Sequence, residues 1–572
     1  MNRMGRLGSA AAVLALLALF FIANRGAYEG AFSDDDLDNI AWTGSASPAM
    51  FVSGLVSPLY YPNHFRPVGH GTFYVLGKTA GLRFRPYVTL IHLLHLANTA
   101  LVAILLAALG LSPWRAAAGS LFFIFHMALF DALWKPMYLF DLWCAFFTLG
   151  AFILYLRERW VWALAAFWLA YKSKEHAVAL PAVLLAYEWL LGQRRWRRVA
   201  PFAVVAASFF LQGVLMNRHA GQDYTLQFSA SALTTTLGFY GPRLLLAPAA
   251  LLALAAAAAL YLRDRRVWLG LVMMAGLIGP MLFLPTRLSG AYLYVAMTGL
   301  AVAIASALAR APWWGAVLFF ALWLPVNYGR MREERRAALT VAHENNAYLA
   351  AASRLPSEAP GVRRFIYDGH PRGLRWWGIL GALRIYYGRP DLEMFSVEEK
   401  NLARIFDQGD VALLKWDNPR RRLTVVKRAP GEPDRSFIRM DETTPIWQLE
   451  EGWYQAEERY RWIRPRAVAR LSQPSGTGAG YFAVQVNVGP QYIADVKQAL
   501  LTVLIDGREI GKTRFDAAGW RTVSWPLAAA QPGPPRPVRV EFRVQPEYRP
   551  SATDPRVLGI PIAAFGFASS PQ

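Results

Sequence analysis

The chain contains a single cysteine, Cys144, among its 572 residues, and that cysteine lies inside an apolar segment. One cysteine excludes an intrachain disulfide and a cysteine-based metal cluster. Charged residues are also scarce, at 17%. Three sequence motifs are missing as well: a Walker-type glycine-rich loop, a Gly-x-Ser-x-Gly elbow and a His-Glu-x-x-His pair. The sequence therefore gives no support to nucleotide-driven or hydrolase chemistry.

Long apolar segments fill the first part of the chain. Hydrophobic residues make up 55% of the whole sequence and are concentrated before about residue 330. A helix needs about 20 apolar residues to cross a hydrocarbon core of roughly 30 Å. About eleven segments meet or approach that length, at residues 8–24, 87–110, 116–130, 137–156, 160–171, 176–191, 199–216, 237–262, 267–284, 291–308 and 313–328. The predicted fold class is a polytopic α-helical membrane protein.

Basic residues cluster at the ends of these apolar segments. The formal net charge of +21 would suggest nucleic acid in a soluble protein, but this placement favours membrane lipid headgroups and no nucleic acid. With the N-terminus in the cytoplasm, the loops predicted inside carry Arg115, Arg157, Arg159, Arg194, Arg195, Arg197, Arg198, Arg263, Arg265 and Arg266. That distribution follows the positive-inside rule. An odd number of spans then places the long first loop, residues 25–86, and everything after residue 328 on the non-cytoplasmic side of an inner or plasma membrane.

Three domains are predicted, with bounds 1–330, 331–435 and 436–572. The first is the membrane domain. The second alternates β-rich runs with helical stretches, as a small α/β unit does. Its strands are predicted at 364–367, 392–397, 411–416 and 423–427, and its helices at 376–387 and 397–406. The third has strands at 481–488, 499–505 and 538–544 and an Asp506-Gly507 hairpin signal, so a β-sandwich of jelly-roll type is predicted. Such sandwiches bind carbohydrate or serve as scaffolds, and the fold alone does not distinguish these roles.

Four carboxylates fall within five residues after the first predicted span: Asp34, Asp35, Asp36 and Asp38. Like charges at this spacing raise the pKa of at least one carboxyl group, which suits a general base. Alternatively, Asp35 and Asp36 could recruit a divalent cation, Mg²⁺ or Mn²⁺, through their oxygen atoms. The structural alternative is a solvated acidic loop.

A second polar group lies between two predicted spans on the same outer side. It comprises Lys172, Lys174, Glu175 and His176. The positive-inside rule disfavours lysines there, so their presence indicates a function, with phosphate as the expected ligand. The alternative is that the lysines anchor the helix end by reaching the interface.

Further candidates occupy other outer turns. Residues 61–67 include His64 and Arg66, and a structural turn is the alternative reading there. Asp141 begins a predicted span, where an unpaired carboxylate is costly, so we expect it to face a polar cavity or to pair with a lysine. A late outer turn carries Arg287, Tyr292 and Tyr294, where the arginine could clamp a phosphate or anchor the interface. The remaining histidines within spans, His92, His95 and His126, are interpreted as packing or headgroup residues.

The order of these features resembles the GT-C superfamily of membrane glycosyltransferases, and within it the TMTC-like branch related to protein O-mannosyltransferases. The resemblance covers about the first third of the chain. It rests on Asp35-Asp36 with Asn39-Ile40, Phe65-Arg66-Pro67, residues 92–98, residues 134–141 and Ser173-Lys174-Glu175, with a weaker match around Arg287 and Tyr294. Two departures are visible: Phe140 stands where the family has a basic residue before Asp141, and no tetratricopeptide period follows.

The resemblance implies transfer of a sugar from a polyprenyl-phosphate donor to a glycan, protein or lipid acceptor outside the cytoplasm, with inversion at the anomeric carbon. Asp35 or Asp36 would deprotonate the acceptor hydroxyl. The donor phosphate would be held by Lys172, Lys174, Arg66 and Arg287. Supporting positions would be Glu175, His176, His64, Asp141, Tyr292 and Tyr294. Two other functions stay open: a lipid-linked-sugar transporter, whose polar groups would line a path through the bilayer, and a non-catalytic envelope scaffold that binds glycan.

Overall fold

A computed structural model describes residues 3–59, 65–216, 225–246, 263–399, 402–429, 431–441, 443–457, 459–475, 480–528, 534–550, 554 and 556–571. The chain divides into two compact units, Met1–Asn346 and Ala347–Gln572. The three-domain division at residues 330 and 435 stays a prediction.

Unit 1 is helical throughout its described residues. Its helices are α1 Arg3–Asn24, α2 Asp34–Ser45, α3 Pro48–Val56, α4 Pro67–Ala80, α5 Phe84–Ala108, α6 Pro113–Phe125, α7 Phe130–Trp134, α8 Leu139–Leu156, α9 Trp160–Ser173, α10 Leu180–Leu190, α11 Ala200–Met216, α12 Ala230–Leu245, α13 Arg265–Ile278, α14 Leu293–Leu308 and α15 Trp313–Ala352. The last of these runs past the unit boundary. Short 3₁₀ turns, among them Arg25–Glu29, Pro136–Tyr138, Glu175–Ala179 and Gly290–Tyr292, extend or join the helices.

Among the described residues, five helical stretches are long and apolar enough to cross a bilayer: Ala11–Glu29, Phe84–Ala108, Pro136–Leu156, Arg265–Phe283 and Gly290–Leu308. A sixth is the pair Pro113–Phe125 and Met127–Trp134, which is bent by 46°. The bend falls at His126, whose backbone is extended and whose ring accepts a hydrogen bond from the Ala128 amide. These stretches make the chain an integral membrane protein.

The predicted count of about eleven spans is not confirmed by the described residues. Several predicted spans are shorter helices: α9, α10 and α11 have 14, 11 and 17 residues. The predicted span 237–262 is described only as far as residue 246.

The first loop, predicted over residues 25–86 as the connection between the first two spans, contains helices in its described residues and stays a prediction as an outer loop. It folds into α2, α3 and α4, and α5 already begins at Phe84. Local signals explain the helices. Ser33 and Asp36 form a capping box at the start of α2, and Pro48 and Pro67 occupy the first turns of α3 and α4.

The loops of unit 1 lie at two opposite ends of the helices. The arginine-rich loops share one end, as the charge pattern predicted. At the end called here the basic end, Arg195 and Arg198 bind Glu158 at 2.5 and 3.3 Å, and Arg310 binds Asp264 at 3.0 Å. At the other end, called the acidic end, the loops that carry the candidate site meet. The basic loops therefore lie together, away from the candidate site.

Small residues let two spans approach closely. A Cβ atom added to Gly299 in α14 would lie 2.4 Å from the backbone nitrogen of Met274 in α13. One added to Gly270 would lie 2.4 Å from the Ala303 nitrogen. Such glycine contacts are typical of helix pairs in membranes. Lipid tails are as apolar as the side chains, so helices associate there through close packing of their backbones rather than through hydrophobic burial.

Unit 2 contains two sheets. The first has the order β2-β1-β3-β4, formed by β1 Arg364–Asp368, β2 Glu393–Ser396, β3 Val411–Asp417 and β4 Arg422–Val426. Strand β1 runs parallel to β2 and β3, and β4 is antiparallel to β3. Helices α16 Leu355–Glu358, α17 Trp376–Tyr387 and α18 Leu402–Phe406 accompany it. The α/β prediction is confirmed, except that residues 397–399 of the predicted helix 397–406 form a turn.

The second sheet is antiparallel. Its strands are β5 Phe437–Arg439, β6 Leu449–Glu457, β7 Tyr460–Gln473, β8 Tyr481–Val488, β9 Ala499–Ile505, β10 Arg508–Phe515, β11 Gly519–Pro526, β12 Arg536–Gln545 and β13 Pro561–Ala568, with helix α19 Pro490–Val496 after β8. The order is β10-β9-β12-β7-β13-β8-β11. Asp506 and Gly507 form the predicted hairpin turn, both with positive φ. The strand predictions are confirmed, and the jelly-roll assignment stays a prediction.

An ion pair without solvent exposure joins the two sheets of unit 2. Arg461 on β7 binds Asp368 at the end of β1, and both side chains are 0% exposed. The Asp368 carboxylate also accepts a hydrogen bond from the Ala456 amide at 3.2 Å. Burial acts to raise the pKa of Asp368, but Arg461 outweighs it and the net shift is downward. The charge of Arg461 is thus compensated inside unit 2.

Candidate functional site

The acidic run forms the first turn of helix α2. Its carboxylates therefore lie beside the exposed N–H groups of a helix N-terminus, which stabilises negative charge. Asp36 is fully buried, and its Oδ2 accepts hydrogen bonds from the Ser33 amide and hydroxyl, both at 2.7 Å. Burial raises the pKa of Asp36 to about 7, although the Ser33 hydrogen bonds act in the opposite direction. Asp36 is thus anchored, while Asp35 is half-buried and reachable.

The described residues contain no preformed cluster of protein ligands for a metal ion. Asp35 and Asp36 were predicted to hold Mg²⁺ or Mn²⁺, but one oxygen of Asp36 is already engaged by Ser33. Within the described part of the chain, no group of three or more His, Cys, Asp or Glu side chains could hold a metal ion. Because Mg²⁺ is usually held by one or two carboxylates together with substrate phosphates and water, a metal at Asp35 and Asp36 stays a prediction.

Lys174 and Asp141 form a buried ion pair. The Lys174 ammonium donates to both carboxylate oxygens of Asp141 at 2.7 Å, and the two side chains are 9% and 1% exposed. The sequence predicted that Asp141 would pair with a lysine, and this is confirmed. The same ammonium lies 4.7 Å from the ring centre of Tyr292. Lys174 follows the last residue of α9, and its ammonium group contacts Asp141 in the first turn of α8.

A second ion pair lies beside the first. The Arg66 guanidinium donates to both oxygens of Glu175, with N–O distances of 2.9 to 3.2 Å. The arginine also lies 5.4 Å from the ring centre of Phe140, next to Asp141. Arg66 and Glu175 remain partly accessible, at 19% and 35%. A planar guanidinium that a carboxylate orients at the surface of a site can also receive a phosphate.

His176, Tyr292 and Arg287 complete this polar group. The rings of His176 and Tyr292 lie 5.5 Å apart. The Tyr292 hydroxyl is within electrostatic range of Arg287, Asp141 and Arg66. Residues from four separate loops therefore meet at the acidic end. The predicted topology places these loops on the same side of the membrane, and in the structure their side chains lie close to one another.

Three candidate residues lie elsewhere or outside the described residues. The Lys172 ammonium donates to the Leu59 carbonyl at 3.3 Å and lies 5.3 Å from the Trp168 ring, away from the Lys174 pair. Tyr294 is buried in a network with His95 at 2.7 Å and Asn98 at 3.1 Å. His64 falls outside the described residues. The packing interpretation of His95 is confirmed.

Sequence reasoning missed three residues of this region. The Tyr138 hydroxyl hydrogen-bonds with the Ser289 hydroxyl at 3.0 Å, which links the start of α8 to the turn before α14. Tyr240 of α12 lies near the Ser289 backbone and near Tyr292. Tyrosines at helix ends are common in membrane proteins, so Tyr240 carried no distinguishing signal in the sequence.

The segment Pro136–Asp141 connects the acidic helix to the ion pairs. The Ser33 hydroxyl, which caps α2 with Asp36, lies 3.5 Å from the Met137 sulfur. Four residues later, Asp141 binds Lys174. One short stretch of chain thus touches both a candidate base region and a candidate anion-binding region.

Comparisons with known proteins give one distant likeness. No protein-family model matches the chain, and no curated protein sequence matches it significantly. The fold is similar to the crystal structure of ArnT from Cupriavidus metallidurans in the apo state, with a TM-score of 0.43, 15% sequence identity and coverage of 71% of this chain and 94% of that one. The structure of the same protein bound to undecaprenyl phosphate gives a TM-score of 0.45 and 15% identity, covering 72% and 94%. At this level of similarity, roles of individual residues do not transfer between the chains.

Proposed function

We propose that this protein is a membrane glycosyltransferase that moves a sugar from a polyprenyl-phosphate-linked donor to an acceptor hydroxyl on the non-cytoplasmic side. The observation that supports the proposal is the cluster of Arg66, Lys174 and Arg287 at the acidic end, with the start of helix α2 against the segment that carries Asp141. The motif order that resembles the GT-C superfamily supports it independently. The positive-inside rule assigns the basic end to the cytoplasm, which leaves the acidic end outside.

The cations would bind the donor phosphate. Arg66, Lys174 and Arg287 carry three positive charges, while Glu175 and Asp141 carry two negative ones. One positive charge therefore remains for an anion. As the bond between the anomeric carbon and the phosphate oxygen breaks, the electron pair stays on the phosphate, and cations fixed in advance stabilise that growing charge.

Asp35 would act as the general base. Asp36 is engaged in the capping box and is buried. Asp35 lies in the same first turn of α2 and is partly accessible. The acceptor oxygen forms the new bond to the anomeric carbon, its proton passes to Asp35, and the polyprenyl phosphate leaves. Asp36 would position Asp35 by fixing the first turn of α2. Attack from the face opposite the phosphate gives inversion, as the resemblance implies.

Transport of the lipid-linked sugar is the less favoured alternative. A transporter needs polar groups along a path across the bilayer. In span Pro136–Leu156, Asp141 is the one carboxylate, and it lies at the acidic end beside Lys174. The candidate groups gather at one end of the helices, which fits transfer better than transport.

The test uses purified full-length protein and a panel of polyprenyl phosphates that carry different sugars, with release of the free polyprenyl phosphate as the readout. Turnover that requires an acceptor is expected. Arg66→Gln should lower kcat/KM for the donor about 10- to 100-fold, because a charge-assisted hydrogen bond is lost. Arg310→Gln is the matched control, because Arg310 forms an ion pair with Asp264 at the basic end. Turnover that is equal in both variants would contradict the assigned phosphate site.

A further inference from the structure

Two buried side chains next to the ion pairs have polar atoms that no described residue satisfies. His176 is 2% exposed, and neither of its ring nitrogens has a hydrogen-bond partner among the described residues. Tyr240 is 1% exposed, and its hydroxyl also lacks a partner within that part of the chain. Nearly all buried polar atoms in native proteins are hydrogen-bonded, so these exceptions indicate a ligand that supplies the missing partners.

The two side chains converge on one place. The His176 ring lies 5.5 Å from the Tyr292 ring, and Tyr240 lies near Tyr292 and the Ser289 backbone. The half-buried pair Tyr138 and Ser289, joined at 3.0 Å, borders the same region. His176, Tyr240 and Tyr292 thus form a buried floor, and Tyr138 and Ser289 form the accessible rim. We call these five residues the aromatic subsite.

The chemistry of the aromatic subsite is neutral. The neighbouring cations Lys174 and Arg66 are already paired with Asp141 and Glu175. The ion pair of Asp131 with Lys135 borders the rim and is likewise closed, so hydroxyl groups, an imidazole and aromatic faces remain. A pyranose ring presents apolar C–H faces that pack on aromatic rings and hydroxyls that donate and accept hydrogen bonds, so it matches this set.

We propose that the aromatic subsite binds the sugar ring of the lipid-linked donor and selects a neutral, hydroxyl-bearing pyranose. The proposal rests on the function proposed above, because it requires the donor phosphate at Arg66, Lys174 and Arg287. A positively charged amino sugar would find no carboxylate to pair with, since Asp131, Asp141 and Glu175 are each bound to a cation. A sugar carboxylate would compete with Asp141 and Glu175 for the same cations. His176 and Tyr240 are specificity-determining residues in this scheme, since their free polar atoms meet the sugar hydroxyls.

The experiment compares three donors on the full-length protein: polyprenyl phosphates that carry a neutral hexose, an amino sugar or a uronic acid. The neutral hexose should give the highest kcat/KM. Tyr240→Phe and His176→Gln should each lower kcat/KM for the neutral donor about 2- to 12-fold, mainly through KM, and should reduce the preference over the other two. Tyr348→Phe is the matched control, because Tyr348 in unit 2 is 0% exposed and its hydroxyl also lacks a partner among the described residues.

Each outcome separates the two proposals. If the wild-type protein turns over none of the donors, the proposed function is overturned and the subsite with it. If the wild type transfers sugar but prefers a charged one, or if Tyr240→Phe and His176→Gln keep the wild-type preference, the subsite alone is overturned. Tyr240→Phe removes a single oxygen atom, so the test stays decisive even if His176→Gln does not fold.

Discussion

Lys174 binds both carboxylate oxygens of Asp141 at 2.7 Å, although 33 residues separate them in the chain. The pair ties the end of α9 to the first turn of α8 with almost no solvent contact. Two charges can be buried together in this way because each compensates the other, and the removal of either leaves the second uncompensated.

Lys174→Met should therefore destabilise the protein, by about 3–5 kcal/mol, because Asp141 is left buried and unpaired. The double variant Lys174→Met with Asp141→Leu should regain most of that loss, since no charge is left buried. The measurement is the thermal unfolding midpoint in detergent. Neither variant should recover sugar transfer. A double variant as unstable as the single one would show that the pair does not act through its buried charge.

Asp36 should make stability depend on pH. Its folded-state pKa of about 7 lies above the ordinary value of 3.8, so the folded state retains the proton longer than the unfolded chain. The contribution of this group to stability is complete at low pH and is lost as the pH rises towards 7. Asp36→Asn should unfold close to the wild-type midpoint at about pH 3.5 and above it at about pH 8. An identical difference at both pH values would refute the raised pKa.

The two candidate bases should differ in their effect on rate. Asp35→Asn should lower kcat about 10²- to 10⁴-fold, the range that general-base catalysis contributes, with little change in the unfolding midpoint. Asp36→Asn should lower kcat less and change stability more, because Asp36 fixes the helix start. The measurement is steady-state release of polyprenyl phosphate. A larger rate loss in Asp36→Asn, at unchanged stability, would reverse the assignment.

The ion pair of Arg461 and Asp368 should be essential for the stability of unit 2. Asp368→Asn leaves a fully buried arginine without its countercharge, which should cost about 3–5 kcal/mol. Denaturant unfolding followed by tryptophan fluorescence measures this change. Asp391→Asn is the matched control, because Asp391 is a surface partner of Arg389. Equal stability of the two variants would contradict the role of the buried pair.

The fragment 347–572 should be soluble and folded but unable to transfer sugar. Unit 2 has its own hydrophobic core, for example around Trp453 and Phe565, whose rings stack at 5.3 Å. The proposed base and phosphate cations all lie in unit 1. Circular dichroism and the donor-release assay check the two halves of this prediction. Sugar transfer by the fragment would show that the site is misplaced.

Local sequence patterns predicted the secondary structure of unit 2 closely, and failed where tertiary contacts decide. Helix α17 begins and ends where its apolar spacing places it, at Trp376 and Tyr387. The helices inside the first loop were not predicted, although Pro48 and Pro67 at their first turns are local signals for them. Lys172 and Lys174 were assigned to the same phosphate site because only one residue separates them in the chain. Side chains two residues apart at a helix end point in different directions, and this spacing could have warned against the grouping.

The sequence by itself determined that the chain enters a membrane and which loops share a side, because hydropathy and charge are properties of short segments. It also determined that carboxylates and cations both lie on the side opposite the arginine-rich loops. Only the tertiary structure decided that Arg66 pairs with Glu175 across 109 residues and that Lys174 pairs with Asp141 across 33. Such contacts depend on how helices from distant parts of the chain pack, and no local pattern encodes that packing.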